Sequence, residues 1–317
     1  MSEMRAVGFA EFGDASVLGI VTLPVPDPGP GQVRVHVTAA TVNPTDIAFR
    51  AGLRGGRGLP DGVRPPFIAG MDLAGVIDAV GPDVSGWTGG DQVMAAVSPW
   101  EPGGGAQAEY RVVDTDQLAR VPDGMALTAA ATLPMNGMTV RAALDMLALP
   151  TGAVLAVTGA AGAVGGYAIQ LGIHDGLRVV ADAAPADEEL IRGLGATHVV
   201  PRGDGFAAAV RSAYPSGADG LIDAALIGPP ALAAVKDGGQ LIAVRPFQGD
   251  TERGITISLV LVGRHLHEGA RIAELADLAA KGVLTPRVAE LIPAEHAADA
   301  HRKLEAGGVR GRLVLTF

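Results

Sequence analysis

The alternation of apolar and polar positions divides the chain into two parts. Up to about residue 115, short apolar runs alternate with polar residues between turns that contain Gly and Pro, as over Gln32–Ala40 and Gly89–Ala95. A period of two predicts half-buried strands, so this part of the chain is predicted to be all-β. His36 falls in the polar set of its strand and is therefore predicted to lie at the surface.

Beyond this point, helical patterns alternate with short apolar runs. One helix is predicted to start at Thr128–Pro134, with Thr128 able to cap it, and a second helix is predicted over Thr139–Met146. Further helices and strands then alternate up to a last predicted strand, Ile255–Val262. This alternation predicts a doubly wound parallel sheet, which binds its ligands at the carboxyl ends of the strands.

The end of the chain changes pattern again and is predicted to return to the first domain. It reads as helix, strand, helix and strand, over Glu268–Ala280, Pro286–Leu291, Pro293–Ala306 and Arg312–Thr316. The predicted fold class is α/β, with one β-rich domain (residues 1–119 and 264–317) and one doubly wound domain (residues 120–263). The Arg- and Gly-rich segment Leu53–Arg64 is predicted to be a mobile loop.

The most informative stretch is a strand, a glycine turn, a helix and a second strand between Ala153 and Asp182. This order is typical of a dinucleotide-binding unit, in which the turn and the helix N-terminus hold the pyrophosphate. Asp182 ends the second strand at the spacing expected for a carboxylate that binds a ribose. The turn residues predicted to bind the cofactor are Gly159, Ala160, Gly162, Ala163, Val164 and Gly165.

Composition and charge narrow the classes of partner. The chain has 317 residues, 48% of them hydrophobic, and a net charge of −10, which argues against a nucleic-acid partner. No apolar run is long enough to span a membrane, and the N-terminus lacks a signal pattern, so a cytoplasmic protein is expected. Because there is no cysteine, disulfides, thiolate metal ligands and a thiol nucleophile are excluded.

Several short motifs resemble those of one known family over nearly the full length of the chain. They are Asn43–Asp46 with Arg50–Gly52, Pro66–Ile77, Gly104–Tyr110, Ala131–Thr139 and Gly311–Leu315. Together they resemble the medium-chain dehydrogenase/reductase superfamily, in its zinc-free quinone oxidoreductase (zeta-crystallin-like) branch. The resemblance implies a GroES-like catalytic domain beside a Rossmann domain. It also implies reduction of quinones or activated alkenes by NADPH.

The residues at the zinc positions of this superfamily argue against a metal. Zinc-dependent members carry a Cys at the position resembled by Asn43 and a His-Glu pair at Met71-Asp72. A carboxamide and a thioether are poor substitutes for a thiolate and an imidazole. His265 and His267 lie close together in sequence, but with Glu268 alone they do not complete a site, so no metal is expected.

Without a Lewis acid, a conjugated carbonyl is easier to reduce than a simple ketone. The hydride adds to the β-carbon, and hydrogen-bond donors can stabilise the negative charge that develops on the oxygen. Asn43 is the first candidate for such a polar group, although it also suits a turn before Pro44. Thr139 is predicted to bond the nicotinamide carboxamide or, alternatively, to cap its own helix. Asp46 is predicted to fix the turn through backbone N–H groups. Some relatives carry a Tyr at the position of Ala48, so an obvious proton donor is missing here.

Two residues favour different cofactors, one with and one without a 2′-phosphate on the ribose. Asp182 suits the free ribose hydroxyl of NADH, whereas Arg202, after the next strand, suits the 2′-phosphate of NADPH. NADPH is chosen because the family favours it, and NADH is the alternative. Residues after the later strands are predicted to border the nicotinamide: Ala224, Ala225, Val244 and Arg245.

Two other functions stay open at this stage. One is an enoyl-thioester or biosynthetic ene reductase on the same scaffold, and the other is a non-catalytic, crystallin-like cofactor-binding protein. For both enzyme hypotheses, the quinone or alkene reductase and the enoyl-thioester or ene reductase, the expected partner is a small-molecule substrate. The apolar strand Ile255–Val262 is predicted to pair with its twin across a two-fold axis, so a homodimer is expected.

Overall fold

The computed structural model describes residues 2–53 and 59–317, and the described chain packs into two compact units. The first unit comprises Met1–Met135, Gly263–Ala280 and Pro286–Phe317, and the second comprises Asn136–Val262 and Lys281–Thr285. The domain limits predicted from the sequence, at residues 119 and 264, stay a prediction. The two units group residues that contact one another and do not define domains that fold separately. The predicted mobile loop Leu53–Arg64 includes residues 54–58, which lie outside the described residues.

The strands of the described chain are numbered in chain order. They are β1 (Glu3–Phe9), β2 (Gly19–Pro24), β3 (Gln32–Val42), β4 (Phe67–Ile68), β5 (Asp72–Val80), β6 (Gln92–Ala96), β7 (Tyr110–Asp114), β8 (Leu118–Arg120), β9 (Val154–Thr158), β10 (Arg178–Ala183), β11 (His198–Pro201), β12 (Ala218–Asp223), β13 (Val235–Ala243), β14 (Thr256–Leu259), β15 (Val288–Pro293) and β16 (Arg312–Thr316).

The α-helices are short, and none within the described residues has the length and apolar character needed to cross a bilayer. They are α1 (Pro44–Arg50), α2 (Leu127–Ala130), α3 (Pro134–Leu147), α4 (Ala163–His174), α5 (Glu188–Gly193), α6 (Phe206–Ala213), α7 (Gly269–Ala280) and α8 (Ala297–Ala306).

The first unit is built from two sheets that contain mostly antiparallel strands. The smaller sheet has the order β2-β1-β4, and the larger has the order β15-β16-β3-β5-β6-β8, with β7 also paired to β3. The β15–β16 pair is parallel, and β16 then pairs antiparallel with β3. The C-terminal strand is therefore an integral part of the β-rich unit, as the sequence pattern predicts. Alternate residues of β3, such as Val33, Val35 and Val37, are fully buried, whereas His36 is exposed as predicted.

The second unit is a six-stranded parallel sheet in the order β11-β10-β9-β12-β13-β14. Strand order reverses next to β9, which carries the glycine turn at its carboxyl end. Every residue of β9 is buried, as expected for a strand covered on both faces. The predicted α/β class, with a β-rich part and a doubly wound sheet, is confirmed.

Three local predictions are wrong in detail. Helix α2 begins after Ala126, so Thr128 lies inside its first turn and does not cap it. Helix α3 begins at Pro134, because proline suits a first helical position, so Thr139 lies in the helix interior and does not cap it either. The last strand of the parallel sheet is shorter than predicted, Thr256–Leu259.

Candidate active site

The first unit contains a buried polar network around the carboxylate of Asp72. One oxygen of Asp72 accepts hydrogen bonds from Thr41 Oγ1 (2.6 Å) and Asn43 Nδ2 (3.0 Å), and lies 3.2 Å from Arg312 Nη2. The other oxygen accepts the backbone N–H of Met135 at 2.5 Å. The side chain of Asp72 is fully buried and that of Arg312 is 5% exposed, so this is a desolvated ion pair with its remaining hydrogen bonds supplied by protein.

Strand register brings these distant residues together. Thr41 is the last residue but one of β3 and Asn43 directly follows the strand, so the two side chains, two residues apart, face the same side. Asp72 begins β5, which pairs antiparallel with β3 through Ala40 and Leu73. Arg312 begins β16 on the other side of β3, where Leu313 is opposite Val42. The central strand β3 therefore carries the network between its two neighbours.

Asp46 extends the network into helix α1. Its carboxylate accepts the backbone N–H groups of Asn43 (2.8 Å) and Gly70 (3.2 Å), which confirms the prediction that Asp46 fixes the turn. The amide nitrogen of Gln107 lies 3.5 Å from the same carboxylate and 3.2 Å from the Thr41 carbonyl. Among the residues that the structure describes, the buried amide oxygen of Gln107 has no hydrogen-bond partner.

Two carboxylates and one guanidinium share this buried site, so its negative charge is not balanced. Burial, together with the nearby Asp72, raises the pKa of Asp46 to about 7 against the opposing effects of the Asn43 N–H and Arg312. A carboxyl group with this pKa carries a proton for much of the time at neutral pH. Perturbed acids of this kind are common at functional sites.

The structure places Asn43 within this network, fully buried. Its amide nitrogen bonds Asp72 and Thr41, and its amide oxygen accepts Arg312 Nη2 at 2.6 Å. The side chain therefore positions the turn, the alternative that the sequence left open. A direct contact of Asn43 with a ligand stays a prediction.

The glycine turn of the second unit has the geometry that a phosphate cradle needs. Gly159 has φ +65°, and a Cβ there would lie 3.0 Å from the backbone of Ala224 and Ala225. A Cβ at Gly165 would lie 2.3 Å from the Gly159 carbonyl oxygen, so this glycine permits the close packing of α4 on the turn itself. Gly162 immediately precedes α4, whose first-turn N–H groups point out of the helix end. Residues Ala160, Ala163 and Val164 lie in the same turn and first helical turn.

Two buried acids hold the loops beside this turn. Asp182 is 5% exposed, and its carboxylate accepts the backbone N–H of Ala160 at 2.8 Å. Asp223 accepts Thr158 Oγ1 at 2.7 Å and the N–H groups of Ile227 and Gly228. Asp182 thus supports the glycine turn, a role that its sequence position did not indicate. Its predicted bond to a ribose stays a prediction.

The remaining predicted cofactor residues follow the strands of the same sheet. Arg202 is exposed directly after β11, and its backbone N–H bonds the carbonyl of Ala183 at the end of β10 (3.0 Å). Ala224 and Ala225 follow β12, and Val244 and Arg245 follow β13. All of them therefore lie at the carboxyl edge of the parallel sheet, where such folds bind nucleotides. Thr139 is 7% exposed inside α3.

Sequence reasoning missed Thr41, Gln107, Asp223 and Arg312 as parts of these sites. Each is a polar residue within or beside a run of apolar residues that predicts a strand. A polar residue in such a run is the only sign in the sequence that it belongs to a buried site. Thr41 and Arg312 are 271 positions apart, so local pattern cannot pair them.

The chain matches two families, one described as Alcohol dehydrogenase GroES-like domain over residues 29–123 and one as Zinc-binding dehydrogenase over residues 194–315. It is 27% identical to a chloroplastic quinone-oxidoreductase QR1 of Triphysaria versicolor, over 98% of each chain. It is 31% identical to a chloroplastic NADPH-dependent alkenal/one oxidoreductase of Arabidopsis thaliana, over 76% of this chain and 62% of that protein.

A quinone oxidoreductase structure from Coxiella burnetii superposes with a TM-score of 0.87 at 26% identity, covering 100% of both chains. The GroES-like assignment of the β-rich unit is confirmed by the family match. The chain therefore belongs to the medium-chain dehydrogenase/reductase superfamily, in its quinone-oxidoreductase-like branch.

Proposed function

We propose that the protein is an NADPH-dependent reductase of quinones and α,β-unsaturated carbonyl compounds that works without a metal ion. The observation that carries the metal-free part of this proposal is the Arg312 guanidinium, which bonds Thr41, Asn43 and Asp72 in the buried network. Asn43 and Asp72 stand at positions that carry zinc ligands in metal-dependent members of the superfamily. The Arg312 guanidinium already pairs with both side chains, so a metal cation at the same position would be repelled by its positive charge.

The described residues bring one other group of potential metal ligands together, namely Asp114, Asp116 and His267. Asp116 and His267 are exposed and bond each other at 2.9 Å, outside the network around Asp72. This group lies on the surface and shares no residue with the proposed chemistry. The proposal of a metal-free reaction therefore rests on the network alone.

The residues of the glycine turn fit a dinucleotide. Side chains are absent where a Cβ would collide with backbone, and first-turn N–H groups of α4 favour a negatively charged pyrophosphate. A bound reduced nicotinamide supplies a hydride to the β-carbon of the substrate. The chain itself fixes the turn through Asp182 and the neighbouring loop through Asp223, and holds the Asn43 turn through Asp46 and Asp72.

Steady-state turnover tests the proposal directly. We expect the purified protein to oxidise NADPH faster than NADH in the presence of 1,4-benzoquinone or 3-buten-2-one, with the rate unchanged after prolonged dialysis against a chelator. Tight cofactor binding with no turnover of either acceptor would move the search to enoyl thioesters. Loss of activity on dialysis, restored by Zn²⁺, would contradict the metal-free reaction.

Arg202 is proposed to bind the 2′-phosphate of NADPH, because it is exposed beside the end of β10 while Asp182 is buried against the turn. Arg202→Gln is expected to raise the NADPH dissociation constant roughly 10–100-fold, the cost of a charge-assisted contact, and to leave NADH binding within about twofold. Titration calorimetry measures both. Arg178→Gln, at the opposite end of β10, is the matched control. Equal weakening of both cofactors in Arg202→Gln would refute the assignment.

A homodimer through the edge strand β14 is also proposed. This strand pairs with β13 on one side only in the described chain, and Leu259 is partly exposed. Leu259→Asp is expected to convert a dimer to a monomer by light scattering, because a charge on a paired edge opposes association. Leu291→Asp is the control, at a 52% exposed position on β15, the edge strand of the larger sheet of the first unit. A dimer that survives Leu259→Asp would exclude this interface.

A further inference from the structure

A cavity of about 550 Å³ opens in the β-rich unit, apart from the residues that form the network or the glycine turn. Its apolar wall includes Met4, Leu23 and Ile68, and a loop with Glu101 and Pro102 forms another side. This volume is within the range of small-molecule sites, and mostly apolar walls with few polar groups are typical of them.

Arg111, on β7, is the cation of this cavity. Among the described residues its Nε atom is buried and has no hydrogen-bond partner, while the residue as a whole is partly exposed to solvent. The guanidinium packs against Gly103, where a Cβ would lie 2.6 Å from Nη1. Burial lowers the pKa of Arg111 to about 10, with Glu101 and Asp114 acting in the opposite direction. A buried guanidinium N–H without a partner is costly, so a ligand that pairs with Nε gains more than one that meets a fully solvated arginine.

Three carboxylates also line the cavity, and their existing contacts limit how they act on Arg111. Asp27 lies 3.4 Å from Arg34, and Asp114 accepts Gln32 Nε2 at 2.8 Å. Glu101 is exposed at the cavity edge. Glu101 is thus the acid that competes most directly for Arg111, and its removal should favour an anionic ligand.

We propose that this cavity binds a small organic acid, with its carboxylate on the Arg111 guanidinium and its apolar chain against Met4, Leu23 and Ile68. A guanidinium fork fits a planar carboxylate, and the apolar wall distinguishes a chain-bearing acid from a bare anion. The proposal is independent of the reductase function, because no residue of the cavity belongs to the network around Asp72 or to the glycine turn.

The test is titration of the intact protein with hexanoate, hexanamide and acetate, followed by ligand-observed NMR and calorimetry. We expect hexanoate to bind, and the two probes that lack either the charge or the chain to bind at least about tenfold more weakly. Arg111→Met should weaken hexanoate about tenfold or more, while Glu101→Gln should strengthen it. Arg120→Met, a 56% exposed position, is the control and should bind hexanoate like the wild type.

Two results would overturn the proposal. One is hexanoate affinity that is equal in the wild type and in Arg111→Met, provided that thermal melting shows the variant to be folded. The other is absence of binding to both the wild type and Glu101→Gln, which would mean that Arg111 needs no external anion. NADPH affinity, measured in parallel, reports separately on the proposed reductase function.

Discussion

Replacing Arg312 with leucine is expected to lower the free energy of unfolding by about 3–5 kcal/mol, the range seen when one partner of a buried ion pair is removed. The change leaves the fully buried Asp72 carboxylate without its cation, and it also removes a donor from Thr41 and Asn43. Asp72 keeps hydrogen bonds from Thr41, Asn43 and Met135, so the loss should fall toward the lower end of this range. Urea unfolding followed by circular dichroism measures it.

A second substitution separates the charge effect from lost packing. In Arg312→Leu with Asp72→Asn, the stranded charge is gone, so part of the lost stability should return. Arg302→Leu removes a 54% exposed partner of Asp299 and is expected to cost less than about 1 kcal/mol. If Arg312→Leu costs as little as this control, the network is not a significant source of stability. If Asp72→Asn makes the Arg312→Leu protein still less stable, the charge explanation is wrong.

The glycine turn could be predicted because its requirements are local. Gly159 needs a positive φ, Gly165 needs a close approach, and both lie within one strand-turn-helix unit that the apolar pattern already outlines. The same holds for Asp46, whose carboxylate bonds the N–H of a residue three positions before it. Short-range geometry of this kind leaves a readable signature in the sequence.

The role of Asp182 shows where that signature stops. Its spacing from the glycines suits a ribose ligand, but its buried carboxylate bonds the N–H of Ala160. The direction of a side chain at a strand end depends on the neighbouring turn in three dimensions. Spacing along the chain therefore predicts that Asp182 lies near the glycine turn, but it does not predict which group the carboxylate bonds.

The network around Asp72 had no comparable local signal. Asp72 and Arg312 are 240 positions apart, and they meet only because β5 and β16 both pair with β3. The order of antiparallel strands in the larger sheet is a tertiary property that alternation along each strand does not encode. The resemblance of motifs identified Asp72 as a site residue. The pairing of Asp72 with Arg312 is known only from the strand order of the sheet.

The pH dependence of stability is expected to show two buried groups that oppose each other. Asp46 has a pKa of about 7 in the folded chain against 3.8 when unfolded, so the stability it contributes is present below 3.8 and is lost as pH rises through 7. His301 is fully buried on α8, and Arg50 Nη1 lies 3.4 Å from its Nδ1. Burial, helped by Arg50, lowers its pKa to about 3 from 6.5.

The sign for His301 is therefore the reverse of that for Asp46. Its contribution is full above pH 6.5 and is lost as pH falls toward 3, because the unfolded chain binds the proton first. Between about pH 4 and 6.5 the two slopes are similar in size and opposite in direction. At about 1.4 kcal/mol for each pH unit, each group alone would change stability by roughly 3 kcal/mol across this window. In the wild type their contributions should nearly cancel.

Single substitutions should reveal the pH dependence of stability that each group contributes and that cancels in the wild type. Across pH 4–6.5, Asp46→Asn is expected to gain about 3 kcal/mol of stability with rising pH relative to the wild type, because only His301 remains. His301→Asn, which keeps an acceptor near Arg50, is expected to lose a similar amount over the same window, and the double variant should run parallel to the wild type. Urea unfolding at each pH gives these slopes independently of any constant loss from the substitution. Parallel profiles for the wild type and both single variants would mean that neither group titrates differently in the folded chain.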